Sequence, residues 1–160
     1  MLLWYVGLSV LIVYYVFRSS GIDYRLVALG SVLPLVIDLP FRRLAYGRTL
    51  VAGVGLLVVV MVATIGRPRL LRRRLLCLPI GYLCGVVLSG AWTVSEGFWW
   101  PFLGGSFPHE PLLPPLGVIA LEEAVGLVAC GWIVVAFGLR RPGPRNELLR
   151  TGRLREVARR

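Results

Sequence analysis

Gly30-Ser31-Val32-Leu33-Pro34-Leu35-Val36-Ile37-Asp38-Leu39-Pro40-Phe41-Arg42-Arg43 decides the fold. It is too apolar to lie in water, yet it carries one carboxylate, two prolines and a terminal pair of arginines. Inserting an aspartate into a membrane span costs about 2.5–3.5 kcal/mol at mid-bilayer and less near an interface, which makes such a residue a functional-site candidate by default. Asp38 is therefore the anchor of the functional reading, and the apolar run before it is the first sign of a chain built for lipid.

Composition extends that reading to the whole chain. With 57% hydrophobic residues, 16% charged residues and a mean hydropathy of +0.76, there is too little polar surface to cover a soluble globule of 160 residues. The expected class is an all-α integral membrane protein. All 18 basic residues are arginine, five in Arg67–Arg74 and eight in Arg140–Arg160. These blocks lie outside the apolar runs and lack interleaved aromatics, so they read as orientation signal and headgroup contact, and nucleic-acid binding is excluded. Cys77, Cys84 and Cys130 sit within apolar segments with no CxxC spacing, and read as small apolar residues rather than disulfides or a zinc site.

About five transmembrane helices follow from the apolar runs. Leu2–Phe17 has Trp4, Tyr5, Tyr14 and Tyr15 near its two ends, the aromatic-belt pattern of a short span. It lacks the basic start and small cleavage-site residues of a signal peptide. After the polar link Arg18–Arg25, the second run, Leu26–Phe41, covers roughly 24 Å as a helix, short against a hydrocarbon core of about 30 Å. It reads as a short, kinked span or a re-entrant element, with Pro34 the kink. Thr49–Ile65 is the third run, with Gly53 and Gly55 open to close helix approach, and Gly66–Arg74 breaks the chain with charge. Leu75–Trp92 is the fourth, with Gly81, Gly85, Ser89 and Gly90 at packing spacing. Leu116–Leu139 is the fifth, carrying Glu122 and Glu123 near its start.

Two segments stand apart from the spans. Thr93–Pro115 is aromatic and proline-rich; Phe98, Trp99, Trp100 and Phe102 suit the headgroup layer, so it reads as a surface lid, with His109 beside Glu110 a surface histidine of no special role. Residues 1–139 thus form a polytopic membrane domain, and residues 140–160 an arginine-rich cytoplasmic tail that is either disordered or a short interfacial helix over Leu148–Val157.

Charge sets the orientation. Five full spans with the N-terminus out and the C-terminus cytoplasmic place fifteen arginines inside and only Arg42, Arg43 and Arg48 outside. Tyr5, Asp38, Arg48, Ser89, Trp92, Glu122 and Glu123 then lie near the outer ends of their helices at similar depth. One outer site shared by them is the expectation, with Trp99 and Trp100 above it.

The order of these features resembles the bacterial inner-membrane family of metal-dependent hydrolases. The residues that carry the likeness are Gly30–Asp38 closing the second run, Arg48-Thr49 opening the third, Val86-Val87-Leu88-Ser89-Gly90-Ala91-Trp92 closing the fourth and Phe98-Trp99-Trp100-Pro101-Phe102-Leu103-Gly104 after it. The likeness extends over residues 1–139 and implies a multi-pass protein of the bacterial inner membrane. In that family a histidine lies in the first span, Leu-Pro-Asp-x-x-Asp ends the second, His-Ser/Thr starts the third and His-x-x-x-Asp lies in the fourth, which implies a metal that activates water. Here Tyr5, Leu35, Arg48, Gly85 and Ser89 stand at the matching ligand positions, and only Asp38 is kept.

A transition-metal site needs at least three N, O or S ligands, so no metal and no other cofactor is expected. The function that follows is a hydrolase-like scaffold turned to binding: a pseudoenzyme that takes lipid headgroups, or another membrane protein or a second copy of itself, through Tyr5, Arg48, Ser89, Trp92, Trp99 and Trp100. The alternative is an active membrane-bound hydrolase with Asp38, Glu122 and Glu123 as its acid and base. An ion pair with Arg48, or simple headgroup exposure, is the competing role for Glu122 and Glu123, and pairing with Arg48 is the role expected of Asp38.

Overall fold

The computed structural model describes residues 1–18, 21–41, 46–102 and 114–152. Among the described residues every regular element is helical: α1 (Leu2–Phe17), α2 (Tyr24–Asp38), α3 (Leu50–Ala63), α4 (Arg69–Leu75), α5 (Cys77–Leu88), α6 (Ser95–Phe98), α7 (Leu116–Ala136) and α8 (Pro142–Thr151), with 3-10 turns at Leu39–Phe41, Tyr46–Arg48 and Ala91–Thr93. Helices α1, α2, α3, α5 and α7 fall within or closely beside the five apolar runs. Helix α7, with 21 residues, is about 31 Å long, and it is the one described helix both long and apolar enough to cross a membrane. Helices α1 and α3 are as apolar but shorter.

Glycine decides how closely these helices approach. Gly81 lies on the backbone of Val27 and Gly85 on that of Ser31, so closely that a methyl group at either would overlap a carbonyl of α2; Gly30 meets Leu78 and Tyr82 in the same way. The matching order of these partners makes α2 and α5 a parallel pair. Gly126 lies against Leu3 and Trp4, and Gly7 against Gly126, Ala129 and Cys130, so α1 and α7 form a second parallel pair. Small residues at such crossings bring backbones into van der Waals contact, the main attraction available between helices in lipid. Gly53 packs on Leu83 and ties α3 to α5, whereas Gly55 meets nothing within 4 Å. The glycine approach expected for the third run therefore belongs to Gly53 alone.

Helix α2 continues through Pro34 to Asp38. Asp23 caps its start, accepting from Arg25 N at 3.2 Å, so the two aspartates mark opposite ends of one continuous helix. A re-entrant hairpin would return them to the same end.

The structure differs from expectation in the two basic segments. The block expected to interrupt the helices is itself helical: α4 carries Arg69, Arg72, Arg73 and Arg74, good helix formers, and is joined to α5 by the single residue Leu76. The tail helix begins earlier than expected, because Pro142 pre-sets the first helical position. It stops at Gly152, whose left-handed φ of 72° is easily adopted only by glycine. Its end docks on the bundle: Tyr24 N donates to Gly152 O at 2.8 Å, Arg25 Nη1 to Leu149 O at 2.6 Å and Arg74 Nη2 to Thr151 O at 3.3 Å. A cluster of Val10, Val13, Tyr24, Val27, Cys77, Ile133 and Phe137 forms the core beside it, with Leu148 packed against the cluster.

Candidate functional site

Asp38 is the last residue of α2, where the helix presents carbonyl oxygens and partial negative charge. A carboxylate there gains nothing from its own helix and depends on what the next segment brings. That segment is the turn Tyr46–Arg48. Thr49 then caps α3: its Oγ1 accepts from Ala52 N at 3.1 Å and donates to Tyr46 O at 3.0 Å. The cap fixes the turn relative to α3 and directs Arg48 back towards α2.

The pairing that results is buried. Asp38 is fully buried and Arg48 is 5% exposed. Gly47 N donates to Asp38 Oδ1 at 2.7 Å, and Arg48 Nε stands 3.8 Å from Asp38 Oδ2. Gly47 is required at its place, because a Cβ would come 2.5 Å from Pro34 O and 2.8 Å from Asp38 Oδ1. From the far side, Tyr82 on α5 donates its hydroxyl to Gly47 O at 2.6 Å. The carboxylate is thus held by a backbone donor and a cation, and the carbonyl of the donating residue is held by α5.

Tyr5 of α1 is buried, and both it and Glu122 of α7 lie within the electrostatic field of Arg48. The structure therefore brings Tyr5, Asp38, Arg48 and Glu122 to one end of the bundle. Glu122 Oε2 is buried and has no hydrogen-bond partner among the described residues. Glu123 faces elsewhere, pairing with the Met1 ammonium and accepting from Leu3 N at 3.3 Å. Burial lowers the basicity of that ammonium, and Glu122 partly offsets the effect.

The other expected binding residues surround this cluster without joining it. Ser89 donates to Val86 O at 2.7 Å and accepts from Ala91 N at 3.3 Å, closing the end of α5 on itself. Trp92 is exposed, with its Nε1 on Val87 O at 3.2 Å. Trp99 is exposed and set edge to face with Phe98, and Trp100 packs edge to face on Tyr46, ring centroids 5.5 Å apart. Trp100 thus touches the turn that carries Arg48. His109 and Glu110 lie outside the described residues.

Gly47 and Tyr82 are the site residues that sequence reading missed. A glycine just before the Arg48-Thr49 pair and a tyrosine inside an otherwise apolar run were the available signals. Among the described residues no group of three or more His, Cys, Asp or Glu side chains is placed to hold a metal ion. Leu35 and Gly85 bring no donor side chain, and Arg48 brings a positive charge, so the residues at the ligand positions expected from the sequence resemblance are not a set that fits a metal. No protein-family model, curated protein or solved structure matches the chain.

Proposed function

We propose that the chain is a multi-pass inner-membrane protein that keeps a hydrolase-like scaffold and works by binding, its outer aromatic end receiving lipid headgroups. Five spans run through α1, α2, α3, α5 and α7, with the N-terminus outside and α8 in the cytoplasm. The apolar exterior supports the membrane reading: Leu116, Val128 and Val135 of α7 and Val59 and Val62 of α3 all face outward, and soluble monomers rarely expose continuous apolar surface on that scale.

The observation that carries the binding reading is the sealing of Asp38. A carboxylate that is fully buried, with Gly47 N on one oxygen and Arg48 opposite the other, is neither a metal ligand nor a base open to substrate. Exposed Trp92 and Trp99 at the same end suit the headgroup layer, where indole has an apolar face for acyl chains and an N–H for carbonyl or phosphate.

Metal content and fluorescence test this together. Purified full-length protein should hold well under one equivalent of zinc, manganese or iron by elemental analysis. In proteoliposomes, Trp92 and Trp99 emission, isolated by difference from Trp92→Phe and Trp99→Phe, should be quenched by lipids brominated near the glycerol. Shielding of both residues would point to a protein partner instead. A near-stoichiometric metal lost in Asp38→Asn would overturn the reading.

Glu122 favours a second reading. On that reading its buried carboxylate oxygen, without a hydrogen-bond partner among the described residues, is the acid or base of a hydrolase. Ester or phosphoester hydrolysis abolished by Glu122→Gln would establish it.

A further inference from the structure

At the end of the bundle away from Asp38, Gly21, just before α2, faces α4 across an open cavity of about 400 Å³, lined by Gly21, Pro68, Leu70, Leu71, Arg73 and Arg74. Its described lining combines two guanidinium groups with two leucines and holds no carboxylate. The nearest capping carboxylate, Asp23, is engaged by Arg25 through Nε and Nη2, both at 3.2 Å. Gly21 keeps the floor low: a Cβ there would stand 3.0 Å from Arg73 Nη2. Arg74 uses one of its donors on Thr151 O, and a guanidinium offers five in a planar fork suited to phosphate oxygens. Every residue of α4 is exposed, Leu70 at 71%.

We infer that this cavity is a site for the phosphate of an anionic phospholipid in the cytoplasmic leaflet, with Arg73 and Arg74 holding the headgroup and Leu70 and Leu71 entering the acyl region. Two features select a lipid over a free anion. The leucines beside the arginines would waste apolar surface around inorganic phosphate but match the glycerol and first methylenes of a lipid. The volume lies within the roughly 300–1,000 Å³ of small-molecule sites, larger than a bare phosphate needs. Basic pockets between helices on the cytoplasmic side have the charge and depth for such headgroups. This site is independent of the outer end: it rests on the proposed membrane location and orientation, with α4 on the cytoplasmic side, but not on the binding reading of the Asp38 cluster.

The test uses full-length protein delipidated in non-ionic detergent. Titrating dioleoyl phosphatidylglycerol should raise the melting temperature saturably, while dioleoyl phosphatidylcholine, with the same chains, and millimolar inorganic phosphate should not. Each arginine near an anionic surface contributes about a fivefold factor, so Arg73→Ala/Arg74→Ala should weaken the apparent affinity roughly 25-fold. Arg67→Ala/Arg69→Ala, which removes equal charge outside the cavity lining, should leave it within about twofold. If the first variant does not fold, Leu70→Asp, on a well-exposed position, puts a carboxylate at the rim and should give a similar loss. Equal losses in the two arginine pairs would reduce the effect to diffuse surface charge and overturn the site. Saturation by inorganic phosphate alone would overturn the lipid assignment.

Discussion

The Tyr82 hydroxyl on α5 donates to the carbonyl of Gly47 at 2.6 Å across thirty-five positions of sequence, and the N–H of the same glycine donates to Asp38 on α2 at 2.7 Å. One glycine thus ties the turn before α3 to both members of the closest helix pair. Arg48, the next residue, is delivered to Asp38 by a turn anchored on both sides.

Tyr82→Phe keeps the buried ring and removes the hydroxyl. The loss of a buried hydrogen bond, with Gly47 O left to find another donor, should cost about 1–2 kcal/mol. Unfolding in detergent with denaturant reads the cost directly. A change below about 0.3 kcal/mol would mean that water replaces the hydroxyl and that α5 does not hold the turn.

Gly47 and Gly55 should respond to alanine in opposite ways. Gly47→Ala places a Cβ 2.5 Å from Pro34 O, so the turn must move off α2, at a cost of about 1–3 kcal/mol. Gly55→Ala meets nothing within 4 Å and should be neutral, or stabilising by up to about 1 kcal/mol through helix propensity. Comparable melting temperatures for the two variants would show that the turn does not press on α2.

Helices were the legible part of this sequence, because runs such as Leu2–Phe17 and Leu116–Leu139 are uninterrupted and a long apolar run has few alternatives to a helix. The shared end was legible too: once the apolar helices alternate in direction, Tyr5, Asp38, Arg48 and Glu122 must fall at one end of the bundle. What could not be read was rotation about each helix axis. Gly53 and Gly55 differ by about 200° around α3, so only one can face α5, and nothing local says which. Ser89 reads as a site residue by position, but its hydroxyl closes the end of its own helix, a use open to any serine beside a free carbonyl. The tail was left open between disorder and a helix over Leu148–Val157, and the bounds Pro142–Thr151 could not be read, because the end of that helix is held by Tyr24, Arg25 and Arg74, all distant in sequence.

Orientation is the third expected outcome, and fifteen of eighteen arginines on one side under five spans is its motive. In a variant lacking the three native cysteines, a cysteine at Thr93 should react with impermeant thiol reagents only from outside intact cells. One at Arg141 should react only after the membrane is opened. The reverse pattern would place the Asp38 cluster at the cytoplasmic face and the Arg73–Arg74 cavity outside.

The last expectation concerns Asp38 and Arg48 themselves. Asp38 is a fully buried carboxylate, and the Arg48 guanidinium beside it supplies the positive charge that such a group needs. Arginine suits that place because it stays protonated in poor solvent and supplies charge and hydrogen bonds together. Both groups are buried, so removing one strands the other, a loss on the order of 3–5 kcal/mol for a buried pair. The 3.8 Å approach through Nε is longer than a charge-assisted hydrogen bond, so the lower end of that range is expected. Arg48→Ala should therefore destabilise the protein in detergent by about 3 kcal/mol. Adding Asp38→Asn should recover part of the loss, since a neutral amide needs no cation and can still accept from Gly47 N. The competing account is that Arg48 is held mainly by surrounding headgroups and its contact with Asp38 contributes little. Under that account the two substitutions act independently, and an additive double-mutant cycle would refute the pairing.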